Sequence, residues 1–161
     1  MGLFSKFSKK KAITIASPLS GEAIPASSIE DQTFAEGMLG YTIGVHPAGE
    51  QVYAPANGTI TTMFETGHAV GLCTSDGVEV LIHIGIDTAS LNGGPFKAHV
   101  KEGDRVHQGD LLLEFDSGAI LDAGYSTTAA VIITNADAFG EIESNFGAVV
   151  HGDRLLTISS K

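Results

Sequence analysis

Twenty glycines cut this chain into short apolar stretches. That punctuation restricts its fold more than any other feature, because long helical periods are few while many short runs lie between turn residues. Valine, isoleucine and threonine dominate these runs, as in strands. The pattern predicts strands over roughly 12–16, 21–25, 41–45, 51–54, 58–64, 68–73, 78–86, 97–100, 111–115, 129–134 and 154–158. Short helical turns are expected over 30–36, 87–92, 117–124 and 136–142. Two motif pairs suggest a duplication. "ASPLSGEAI" from Ala16 parallels "YAPANGTIT" from Tyr53, and "VHQGDLLLEF" from Val106 parallels "VHGDRLLTI" from Val150. A lone hairpin cannot bury its apolar face, so the repeat implies two similar halves packed together. The expected fold class is all-β, an antiparallel β-sandwich or barrel with a few short helices, forming one domain over residues 12–161.

Charge is divided unevenly. Lys6, Lys9, Lys10 and Lys11 are four of the nine basic residues, and every acidic residue follows them, which leaves residues 12–161 with a formal charge of −14. Such a body repels phosphate backbones, so no nucleic acid partner is expected and a basic protein surface is favoured. Residues 1–11, "MGLFSKFSKKK", carry Leu3, Phe4 and Phe7 beside lysines, the composition of a disordered tail or of a weak amphipathic contact with an anionic membrane. With no apolar run near a membrane span and one cysteine, Cys73, the expected location is cytoplasmic, peripheral at the inner membrane face if the tail binds there.

The stretch "EVLIHIGIDT" holds the candidate chemistry. Alternation along 78–86 puts Val78, Val80, Ile82, Ile84 and Ile86 on a core row and Glu79, Leu81, His83, Gly85 and Asp87 on the other. The turn signal Ser75-Asp76-Gly77 makes this strand one arm of a hairpin whose other arm begins near His68. A two-residue loop sets His68 opposite Gly85 and a four-residue loop sets it opposite His83; an odd loop would send the histidines to opposite faces. A pair of surface histidines is the ordinary alternative. Neutral imidazole is a competent nucleophile at cellular pH, and a second imidazole can donate to phosphoryl oxygens, with Thr66 able to hold the tautomer of His68.

"GVEVLIHIGIDTA" from Gly77 resembles the phosphorylation-site signature of the glucose-type enzyme IIA component of the bacterial phosphoenolpyruvate-dependent sugar phosphotransferase system. The likeness continues through "FAEG", "FETGH", "EGDRVHQGD" and "TNADAF", with Gly67 where the family often has Asn. The resemblance implies a sandwich of the duplicated hybrid motif type. It implies that His83 Nε2 takes a phosphoryl group from the carrier protein HPr and passes it to a cysteine of a sugar-specific enzyme IIB. It further implies that His68 stabilises that group, Thr66 orients His68, Asp87 lies at the site, and Phe34, Leu39, Phe64 and Leu81 rim the HPr contact. No cofactor is implied, and zinc only at a partner interface through His68 and His83.

Other readings share parts of this pattern. A phosphorylation-dependent regulatory adaptor with protein targets could use the same fold. A zinc endopeptidase is suggested by His83 and Asp87 in "HIGID", but His46, His68, His99, His107 and His151 supply no H-x-H element. A lipoyl- or biotinyl-type carrier is suggested by "VKEGDRVHQGDLLLEF", but Lys97, Lys101 and Lys161 lack the hairpin-tip setting of a modified lysine. His46, His99, His107 and His151 are expected at the surface, and Cys73 is expected to be structural.

Overall fold

The computed structural model describes residues 12–161. The expectations for the basic tail fall outside the described residues.

The first part of the chain forms β1 (Ala12–Ala16), β2 (Gly21–Pro25), a four-residue helix α1 (Gln32–Ala35) and β3 (Tyr41–Pro47). A contiguous middle part follows, with β4 (Gln51–Tyr53), β5 (Gly58–Met63), β6 (Ala69–Thr74), β7 (Glu79–Ile84), β8 (Phe96–Ala98), β9 (Arg105–Val106) and β10 (Leu111–Phe115). Helix α2 (Ser117–Asp122) leads into β11 (Ala129–Ile133), β12 (Phe139–Ser144), β13 (Gly147–Val149) and β14 (Arg154–Ser160). All the strand pairs are antiparallel.

An eight-stranded sheet runs β13-β2-β3-β11-β7-β6-β5-β9, accompanied by two three-stranded sheets, β1-β14-β12 and β4-β10-β8. The order is symmetric about its middle: β13, β2, β3 and β11 mirror β9, β5, β6 and β7, while β1, β14 and β12 mirror β4, β10 and β8. Both motif pairs seen in the sequence lie at matching places in this scheme. The middle half, 51–115, is nested inside the outer half, and among the described strands the β7–β11 pairing joins them. Ile15, Leu19, Ile43, Leu72, Ile82, Ile84, Leu112 and Leu113 are fully buried members of the central core. Burying such side chains contributes roughly 1.5–3 kcal/mol each before entropic costs.

Three sequence expectations need correction. Residues 139–142, expected within a helical turn over 136–142, are strand, because only 136–138 make a helical turn before β12 pairs with β14. Strands β9 and β13 were not anticipated, being two and three residues long. The β6–β7 loop has an odd length: Cys73 pairs with Glu79, Thr74 N–H donates to Val78 O at 2.9 Å, and Ser75, Asp76 and Gly77 form the turn. Gly77 supplies the left-handed residue, φ 86°, that a three-residue hairpin loop places last.

Candidate functional site

The odd register would send His68 to the core row, opposite Ile84, whose N–H donates to His68 O at 2.8 Å. Yet the two imidazoles meet with ring centroids 4.7 Å apart, nearly perpendicular at 80°. Alternation holds only within a regular strand, and β6 begins at Ala69, one residue after His68. Residues 64–67 form a turn, closed by Gly67 N–H to Phe64 O at 2.8 Å, with Gly67 at φ 75°. A Cβ there would lie 3.0 Å from Phe96 Cβ. This turn, rather than an extended strand, brings the Thr66 hydroxyl onto His68 Nδ1.

His83 lies on the opposite face of β7 from the main core. At its level the sheet carries Gly44 on β3, Ala130 on β11 and Ala69 on β6, a row of small residues that leaves a trough. Ile24, Ile29 and Phe34 pack there with Ala130 and Ile132 as a second, smaller apolar cluster, against which Leu81 and Ile86 lie. The face is therefore apolar where simple alternation predicted a half-polar surface. The Phe34 ring stands 5.0 Å from that of His83, while Phe64 and Phe96 flank His68 at 5.4 and 6.3 Å. Phe96 was missed by sequence reading, since nothing local links it to His68.

His83 Nδ1 donates to the Gly85 carbonyl at 2.9 Å. A carbonyl only accepts, so the proton of the neutral ring sits on Nδ1 and Nε2 keeps its lone pair. Gly85 does more than clear space. It adopts φ 81°, and the room a side chain would need is filled by Thr88 Cγ2, 2.3 Å from an ideal Cβ. Buried Thr88 donates through Oγ1 to Ile84 O.

Burial is the main cause that lowers the His83 pKa to about 4, and His68 adds to it; the Gly85 hydrogen bond and then Asp31 and Asp87 oppose it. Burial also lowers His68. Asp87 is exposed and left-handed, φ 59°, at the start of the 88–91 turn, so it acts on His83 through its charge. Asp31, unanticipated in the sequence, has the same influence and caps α1 by accepting from Phe34 N–H at 3.2 Å.

The four expected rim residues divide. Phe34 is buried beside His83, and Leu81 is half-buried on the same face. Phe64 is 39% exposed and with Leu81 lines a cavity of about 300 Å³. Leu39, 46% exposed, lies with exposed Met38 and Phe146 on a separate cavity of about 780 Å³. His46, His99, His107 and His151 are exposed, and Cys73 is half-buried. Among the described residues no group of three or more His, Cys, Asp or Glu is placed to hold a metal ion, and no helix is long and apolar enough to cross a membrane.

The molecule is thus an antiparallel sandwich of two nested halves carrying paired imidazoles in one apolar trough. Residues 13–139 match the family described as phosphoenolpyruvate-dependent sugar phosphotransferase system, EIIA 1. The β-glucoside-specific EIIBCA component of Dickeya chrysanthemi is 45% identical over 144 residues, 89% of this chain and 23% of that protein. The component of the same name from Bacillus subtilis (strain 168) is 41% identical over 147 residues, 90% of this chain and 24% of that one. The chain thus spans about a quarter of the length of these curated relatives. The glucose permease IIA of Mycoplasma capricolum superposes with a TM-score of 0.84 at 32% identity, covering 91% of this chain and 96% of that one. The chain belongs to the glucose-type EIIA family of the sugar phosphotransferase system.

Proposed function

We propose that this protein is a phosphoryl carrier in which His83 Nε2 accepts the phosphoryl group of phospho-HPr and passes it to the cysteine thiolate of a sugar-specific enzyme IIB. The observation that carries the reading is the hydrogen bond from His83 Nδ1 to the Gly85 carbonyl, which leaves Nε2 bare beside His68. In the first transfer the phosphorus–nitrogen bond to the HPr imidazole breaks as a new one forms at His83 Nε2. In the second, the thiolate attacks phosphorus and His83 leaves with its lone pair restored. The acceptor needs no general base, because Nε2 carries no proton to remove, so alignment and charge stabilisation supply the catalysis.

As the bond to Nε2 forms, positive charge develops on the ring, and the Gly85 carbonyl, Asp31 and Asp87 favour that charge. His68 is the donor to the phosphoryl oxygens when the Thr66 hydroxyl donates to its Nδ1, because the ring proton then resides on Nε2. The acidic body suits a basic donor surface, with Leu81, Phe64 and Leu39 as apolar contacts and Phe34 behind the nucleophile.

Labelled phosphoenolpyruvate with enzyme I and HPr should mark the protein once, with an acid-labile group. His83→Ala should abolish the mark, and retention of it would refute the assignment. In His68→Gln, acceptance should survive better than donation to enzyme IIB; undiminished donation would remove the role given to His68.

A further inference from the structure

Two elements fix the His83 ring, and neither is close to the other in sequence. Helix α1 sets Phe34 against it, and the Gly85 turn holds its Nδ1. The Gly85 turn rests in turn on residues 126–128: Gly85 N–H donates to Thr128 O at 3.0 Å and Ile86 N–H to Ser126 O at 3.1 Å.

The side chain of Thr128 joins the two supports. Only 3% exposed, it donates through Oγ1 to Glu30 Oε1 at 2.9 Å, and Glu30 immediately precedes Asp31, the cap of α1. Ser126 Oγ accepts from Thr128 N–H at 3.1 Å and donates to Thr128 Oγ1 at 3.0 Å. His46 Nδ1 lies 3.1 Å from the same oxygen. A hydroxyl has one proton, here directed at the carboxylate, so His46 must donate. With one donated and two accepted bonds, the buried oxygen is saturated.

We infer that Thr128 and Glu30 are positioning residues for the transfer site: their hydroxyl–carboxylate bond clamps the α1 loop, and Phe34 with it, to the segment supporting the Gly85 turn. One contact thereby holds both the face of the His83 ring and the carbonyl that selects its tautomer. The catalytic meaning of the clamp rests on the carrier reading proposed above, whereas its structural effect does not.

The test compares Thr128→Val and Glu30→Ala, which delete the bond, with Thr128→Ser and Glu30→Gln, which retain a hydroxyl or an acceptor oxygen. Nuclear Overhauser contacts between the Phe34 and His83 rings, Gly85 amide exchange and the HPr-driven phosphorylation rate are read on the full chain. Deletion of the bond should erase the ring contact, speed Gly85 exchange and slow transfer by roughly tenfold or more, toward the roughly hundredfold that a misplacement of about 1 Å can cost. The conservative pair should stay near the parent. Unchanged ring contact and rate in both deletions, or equal losses in Thr128→Ser and Thr128→Val, would overturn the clamp. Because Glu30 is exposed, its substitution keeps the test open if Thr128→Val folds poorly. If the parent takes no phosphoryl group the carrier reading fails, while the ring contact and amide exchange still decide the clamp.

Discussion

At the scale of single residues, burial and one hydrogen bond set the state of the His83 ring. Burial keeps the ring neutral at a pH where free histidine is half-charged, and the Gly85 bond selects which nitrogen is bare. Titration by NMR should therefore give His83 a midpoint near 4. In His68→Gln the midpoint should rise, since a positive neighbour is lost, yet remain below the ordinary 6.5 because burial is the larger cause. A midpoint at 6.5 in the parent would contradict the buried geometry. That His83, His68 and Thr66 lie together was legible from local spacing, although the hairpin loop is odd where an even one was expected. Asp31, Phe96 and Thr128 were not, because their contacts to the site are made by segments brought together only in the folded sheet.

Among the elements, the outward face of β3, β11, β7 and β6 is shaped more by what is missing than by what is present. Gly44 shows this most clearly: a Cβ there would come within 2.8 Å of Ile24 Cγ1 and 2.9 Å of Ile29 Cγ1. Gly44→Ala should cost about 1–3 kcal/mol, as overpacking does, and loosen Phe34 from His83. Urea unfolding measures the first effect and the phosphorylation rate the second. Gly85→Ala should be worse, since it combines a disfavoured backbone conformation with the Thr88 clash. Strand β7, Glu79–Ile84, was legible because the two rows of the stretch 78–86 differ in polarity. Strand β12 was hidden by its polar edge sequence, and β9 and β13 are too short to show any period.

For the whole molecule, both histidines make stability depend on pH with one sign. Each folded pKa lies below the unfolded one, so the unfolded chain binds protons that the native chain refuses. Stability is fully present above pH ~6.5 and is lost as pH falls toward 4, the window set by His83. Urea midpoints at pH 7.5 and 5 should show that decline, and His83→Gln should reduce it. The nested halves carry a different consequence. Phe115 N–H donates to Glu50 O at 2.9 Å and Ser117 N–H to Glu50 Oε2 at 2.8 Å, so the inner half leaves the outer one where it enters. Its strands pair only among themselves until β11 meets β7, while the outer half must close a loop around all of them. Pulse-labelled amides in 51–115 should thus gain protection before those of β11, and simultaneous protection would argue against this order. Since His83 faces Ala130 across the β7–β11 seam, a chain that has formed only its inner half would present that imidazole without its trough, and the carrier role proposed above would await completion of the fold.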